Sequence, residues 1–185
     1  KWHLLAAILA GGFSFKWFRN VLSAKEPYSY DEMTREAAII PPGSEGVIFL
    51  PYLAGERTPH MDSFARGVMF GMTVRHTRAH LIRAIMEGVI FAMRDCLEIF
   101  KSLEVCPEKI IAGGGGALNP LWRQIQADIF GLPLVTVKTR EKSATGAAMI
   151  AGIGAGIFPS FKEACRRTVV FDEEILPIRE HTTCY

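Results

Sequence analysis

Residues 110–122 read IIAGGGGALNPLW, four glycines in a row between a short apolar run and a proline-led segment. Glycine has the most conformational freedom to lose on ordering, so a run of it ordinarily marks a slack linker. No serine-rich or charged spacer surrounds this one. The order is instead a strand (KIIA, 109–112), glycines 113–116, then a helix opening near Asn119 with Pro120 at its first position, where a missing N–H costs nothing. A strand, a glycine turn and a helix N-terminus together can hold the anionic or polar groups of a nucleotide. Absent Cβ atoms let a ligand reach the backbone, and free N–H groups with the helix dipole favour phosphate. The run is not a Walker A loop, because no GK[ST] follows. It is not a Rossmann GxGxxG either, since no acidic residue ends a following strand at the usual distance. Local chemistry leaves a tight turn needing positive φ and a ligand loop close to balanced. Four glycines exceed what a turn needs, and that tilts the reading towards a ligand.

Outward from the glycines, strands are predicted at 108–112 and 133–137 with a helix at 119–130 between them. Ser143 is predicted to cap a helix of small residues, ATGAAMIAGIGAG, whose Ala/Gly surface suits close helix packing or a flat ligand. Ser160 with Glu163 makes a capping box for a last helix, and TVVF (168–171) a final short strand. This alternation predicts an α/β layer with at least some parallel pairing. Upstream, residues 77–102 have the strongest helical pattern, with Thr77 at the N-cap. Leu81, Ile82, Ile85, Met86, Val89, Met93, Leu97 and Phe100 form its apolar face, and His80, Arg83, Glu87, Arg94, Glu98 and Lys101 a polar stripe opposite. SYDEMTREAA (29–38) reads as a short helix capped by Ser29 or Asp31, and VIFLPYL (47–53) as a strand. Residues 3–22 read as a helix weakened by Gly11-Gly12, at roughly 1 kcal/mol per glycine relative to alanine. That cost calls for close packing or a ligand.

The 185 residues are 49% hydrophobic and 22% charged, enough for one well-buried domain (residues 1–185) and short for two. A formal charge of +2 argues against strong capture of nucleic acid or an acidic membrane. Cys96, Cys106, Cys165 and Cys184 form no CxxC pair, which points to reduced thiols in a cytoplasmic protein. The opening KWHLLAAILAGGFSFKWFRN is too short in its apolar run for a signal peptide, and no segment reaches the roughly 20 apolar residues of a membrane span. With no initiator methionine, the chain is expected to begin inside something larger. GERTPHMD (55–62) gathers Glu56, Arg57, His60 and Asp62 in one loop. An Arg–Glu pair pinning the loop is the commoner outcome of such a segment. His60 and Asp62 carry donor atoms for a metal, but no third ligand is near in sequence.

Three stretches in order carry a resemblance: YLAGERTPHMDSFARGVMFGMTVRHTRAHLIRAIMEGVIFAMRD (52–95), AGGGGALNPLWRQIQADIFGLPLVT (112–136) and EKSATGAAMIAGIGAG (141–156). Together they resemble the C-terminal domain of the FGGY family of carbohydrate kinases over residues 2–170. The xylulose kinase branch is nearest, with gluconate, ribulose and glycerol kinases as near relatives. The resemblance implies an actin-like, ribonuclease-H-like α/β domain, incomplete on its N-terminal side. It would be one of two domains closing on a cleft, with ATP and Mg²⁺ largely on this one and the sugar deeper against the other. Carried over by position, Gly115 and Gly116, with Gly114 beside them, lie against the nucleotide, and Asn119 reaches its adenine end. Gly12 and Lys16 fall where the family has a backbone contact and a polar side chain. Lys16 stands where glycerol kinases have glutamine, so an adenine role for it does not follow from the match.

The family's general base is an aspartate that lies upstream of Lys1, so no catalytic residue is expected here. Asp62 is not promoted to that role, and the GERTP loop is expected to be structural or to support the cleft. The intact enzyme would transfer phosphoryl from ATP to a hydroxyl of D-xylulose, and the fragment alone is expected to be inactive. A second reading is an actin-like nucleotide-binding module that phosphorylates no sugar. A third takes the glycines as turns only. Strands missing from the sheet would expose an edge and apolar surface, favouring self-association, a homodimer in its simplest form.

Overall fold

The computed structural model describes residues 3–23, 28–139 and 141–185. In chain order the described elements begin with α1 (Gly11–Leu22), α2 (Tyr30–Ala38), β1 (Ile48–Leu50), β2 (Val68–Phe70), α3 (Arg78–Ser102) and β3 (Ile110–Ala112). They continue with α4 (Pro120–Phe130), β4 (Leu134–Val137), α5 (Lys142–Gly154), α6 (Phe161–Thr168), β5 (Phe171–Ile175) and α7 (Arg179–Cys184). β3, α4 and β4 form a parallel crossover unit, with Ile110 opposite Leu134 and Ala112 opposite Thr136. β5 joins the other side of β4 antiparallel, and β1 and β2 form a separate antiparallel pair. The α/β class and the parallel pairing are as the alternation predicted.

α3 is the element around which the core assembles. Ile82, Ile85, Met86, Val89 and Ile90 are buried against Phe15 and Phe18 of α1, Met33 and Ala37 of α2, Phe49 of β1, and Trp122, Ile125 and Ile129 of α4. The predicted polar stripe divides. Arg94, Glu98 and Lys101 form partly exposed ion pairs, but His80, Arg83 and Glu87 are buried. Arg83 is 4% exposed and Glu87 3%, and Arg83 Nε lies 2.6 Å from Glu87 Oε1. Glu87 also accepts from Gly43 N (3.1 Å), Ser44 Oγ (3.0 Å) and the Tyr185 hydroxyl (2.6 Å), and Arg83 donates to that hydroxyl at 2.7 Å. The pair is therefore buried because each charge is hydrogen-bonded from several sides.

Other boundaries differ from the sequence reading for identifiable reasons. The helix predicted over 3–22 starts only at Gly11, and residues 3–10 are not helical. The glycine pair thus opens the helix rather than weakening its middle. α5 starts at Lys142 with Glu141 at the N-cap, so Ser143 lies inside the first turn. Ser160 does cap α6, its Oγ accepting from Glu163 N, but the reciprocal half of the box is missing. The Glu163 carboxylate is held by Arg166 and Arg167 instead, which pull its pKa down to about 2. The final strand is FDEEI rather than TVVF, and a further helix, α7 (REHTTC), follows it beyond α6. Neither segment carries the apolar periodicity that would announce it.

Candidate functional site

The N-terminal ends of α1, α2 and α4 meet the glycine loop around a cavity of about 490 Å³. That volume lies within the roughly 300–1,000 Å³ of small-molecule sites. The loop is built in steps. Gly114 has φ +76° and turns the chain through the left-handed region. Gly115–Ala117 then makes one 3₁₀ turn, with Ala117 N donating to Gly114 O and Leu118 N to Gly115 O, both at 3.1 Å. Asn119 is the N-cap of α4, its Oδ1 accepting from Trp122 N at 3.0 Å, which leaves its NH₂ group to donate.

Of the residues expected to touch a nucleotide, Gly12, Gly115, Gly116 and Asn119 all line this one cavity. Lys16 and Gly114 are not among its lining residues; Lys16 is exposed on α1 and Gly114 makes the turn. Gly113 also lies outside the lining, and a Cβ there would press on the Lys142 side chain at 3.3 Å. At Gly12 and Gly115 an added Cβ would meet no protein atom within 4 Å.

The sequence reading did not place Phe15, Tyr30, Asp31, Thr34 and Trp122 at a site, yet each lines the cavity. Phe15 stacks on Tyr30 (centroids 5.6 Å apart) and tilts against Trp122 (5.0 Å), giving the cavity an aromatic wall. Trp122 is fixed by a hydrogen bond from its indole N–H to Met86 O at 3.2 Å. Asp31 brings a carboxylate to the lining, and Thr34 is buried with its hydroxyl donating to α2 carbonyls. In sequence these were indistinguishable from core aromatics and first-turn helix residues. At the opening of α1 the N-cap position is Ala10, which provides no side-chain cap, so the first N–H groups of that helix lack one. The arrangement offers an apolar slot for a flat ring, with amide donors and one carboxylate around it.

The GERTPH loop lies apart from this cavity. His60 Nε2 and the Tyr52 hydroxyl are 3.1 Å apart, and Asp62 Oδ1 accepts from Phe64 N at 2.7 Å. Among the described residues no three His, Cys, Asp or Glu side chains are grouped to hold a metal, and Glu56 and Arg57 make no ion pair. Glu56 is buried while Arg57 is exposed, so the loop is pinned in a different way from that expected. No described helix is long and apolar enough to cross a membrane.

Residues 1–155 match the model of the FGGY family of carbohydrate kinases, C-terminal domain. The chain belongs to this family. Among relatives of the FGGY chain, the xylulose kinase of Bacillus subtilis (strain 168) is 37% identical over 169 residues, covering 91% of this chain and 34% of its own length. The gluconokinase of the same organism is 34% identical over 172 residues, covering 86% and 33%. In three dimensions, the crystal structure of ligand-bound xylulose kinase from Lactobacillus acidophilus superposes with a TM-score of 0.88 at 32% identity, over 96% of this chain and 36% of that one. The FGGY chain thus spans about a third of the length of the curated relatives it matches.

Proposed function

We propose that the FGGY chain is the nucleotide-binding half of an ATP-dependent sugar kinase of actin-like fold, a single unit over residues 1–185, and that D-xylulose is the sugar phosphorylated. The observation that carries the nucleotide part is the convergence of Gly12, Gly115, Gly116 and Asn119 on one aromatic-walled cavity. Gly12 and Gly115 leave open space where a Cβ would stand, and that space admits a ligand to the backbone. Phe15 and Trp122 would face the adenine ring, Asn119 would donate to it, and Gly114 and Lys16 would lie outside direct contact. Mg²⁺ enters with the nucleotide, and no described residue is assigned to it. The chain binds and orients, while proton transfer from the sugar hydroxyl belongs to an aspartate outside these residues. The sugar contacts also lie on the rest of the protein, in the cytoplasm, where ATP is available and the four free cysteines stay reduced.

The xylulose assignment rests on the relatives, and the 34% identity to a gluconokinase supports gluconate as the alternative substrate. Titration calorimetry with ADP tests the site. The Gly115→Val variant, which fills the open space at the loop, is expected to bind at least about tenfold more weakly, the cost of overpacking a formed site. Equal affinity in the two proteins would overturn the nucleotide reading. For the sugar, the intact protein is expected to show a higher kcat/KM with D-xylulose than with gluconate, and the reverse order would replace one substrate by the other.

A further inference from the structure

We propose that Thr58 and Glu56, in the GERTP loop, are positioning residues. They set the Gly12 wall of the nucleotide cavity by holding the extended segment that leads into α1. The proposal rests on the nucleotide reading above.

The segment before α1 makes none of its own helical hydrogen bonds, so its course needs another cause. Thr58 supplies two contacts to a single residue. Its Oγ1 accepts from Ala7 N at 3.2 Å, and its own N–H donates to Ala7 O at 3.0 Å. Two residues further on, Leu9 N donates to Glu56 Oε1 at 3.2 Å, and the same oxygen accepts from Arg57 N at 2.6 Å. Ala7 and Leu9 are thus held at alternate positions, as a strand is held by a neighbour. Ala10, the next residue, is 1% exposed, and its carbonyl accepts from Ser14 N at 3.1 Å and from the Ser14 hydroxyl, which starts α1. Gly12 follows at the cavity two residues later.

The loop that holds the segment is itself fixed. Glu56 and Asp62 exchange backbone hydrogen bonds of 2.8 and 2.9 Å, and the Cys96 thiol of α3 lies 3.6 Å from Thr58 O. Position is therefore handed from α3 to the loop, from the loop to residues 7–9, and from there to Gly12. The clamp sits next to the two consecutive glycines, the point in α1 with the most backbone freedom to lose. Glu56 is 2% exposed; its Oε1 is reached by backbone N–H groups alone, and its buried Oε2 has no hydrogen-bond partner among the described residues. A side chain that served the loop alone would not need to reach across to Leu9.

The test uses the 185-residue chain with ADP as probe. Thr58→Val removes the acceptor of Ala7 N at nearly constant shape, and Thr58→Ser retains it. Calorimetry is expected to show ADP binding about 3- to 10-fold weaker in Thr58→Val, the loss of one hydrogen bond, and within twofold of wild type in Thr58→Ser. Amide hydrogen exchange without nucleotide is expected to be faster at residues 9–12 in Thr58→Val only. Because both changes act on the same wall, Thr58→Val combined with Gly12→Ala is expected to weaken binding by less than the product of the single effects. Independent, multiplying effects, or unchanged ADP affinity in Thr58→Val, would overturn the proposal. A wild-type chain that binds no ADP would overturn the nucleotide reading instead. The exchange measurement would then judge the clamp by itself, with unchanged protection at 9–12 ruling it out.

Discussion

At Gly12 and Gly115 a Cβ would stand in open space, at Gly116 it would touch the Trp122 ring at 3.4 Å, and at Gly114 the φ of +76° would strain any L side chain. Neighbouring glycines therefore meet different surroundings: open space, a packed indole and a backbone turn. Gly12 separates ligand binding from folding most cleanly. It lies in the first turn of α1 without positive φ, so alanine there removes backbone entropy from the unfolded chain and meets no protein atom. Gly12→Ala is expected to melt at or slightly above the wild-type temperature, by up to about 1 kcal/mol of added helix stability, while binding ADP more weakly. Scanning calorimetry and titration calorimetry on one preparation check this, and unchanged ADP affinity would place the ligand away from α1. The resemblance named Gly12, Lys16, Gly114, Gly115, Gly116 and Asn119 by position, and four of these six line the cavity while Lys16 and Gly114 do not. Trp122 and Phe15 could not be found that way, because an aromatic at helical spacing looks the same facing a core or a slot.

α3 shows what periodicity carries and what it leaves out. Its limits and apolar face were legible in the sequence, because 25 residues of regular spacing average over local exceptions. The burial of Arg83 and Glu87 was not, since the same i, i+4 spacing describes a solvated ion pair and a buried one. What decides between them is Tyr185, 98 positions beyond Glu87, together with Gly43 and Ser44 from the loop before β1. Burial first, and then the Glu87 charge, push the Tyr185 hydroxyl well above its ordinary pKa. The fold therefore favours the protonated hydroxyl. Its stabilising contribution is fully present below the ordinary value of about 10 and is lost as pH rises above it. Tyr28, pushed up to about 12 by burial and by its hydrogen bond to Glu36, acts in the same direction. Urea unfolding is thus expected to show stability falling as pH rises from about 10 towards 12. Tyr185→Phe should cost about 1–3 kcal/mol at pH 7 by leaving a buried charge short of a partner, and should make the alkaline slope shallower without abolishing it. A variant with wild-type stability and slope would show that the network is held by Gly43, Ser44 and Arg83 alone.

Across the whole molecule, the described sheets are small and one of them has an uncovered apolar face. In the β1–β2 pair, Phe49 is buried towards the core. On the outer face Ile48 stands opposite Phe70 and Leu50 opposite Val68, with Ile48 53% and Phe70 67% exposed. A two-stranded ribbon is marginal by itself, and its free backbone edges are a template for further pairing. Such a surface is expected to find a cover. In isolation, the cheapest cover is a second copy of the same face, whose four apolar side chains repeat at strand spacing. Sedimentation of the 185-residue chain is accordingly expected to show a weight-average mass that rises with concentration above that of one chain. Phe70→Lys places a charge opposite Ile48 and opposes edge pairing, so it is expected to restore the monomer. No residue of β1 or β2 lines the cavity proposed for the nucleotide, so the same variant should keep wild-type ADP affinity. Loss of ADP binding along with self-association would mean that the two regions are coupled through the β1 contact with α3. A wild-type chain that stays monomeric at every concentration would show that the apolar face is tolerated in water.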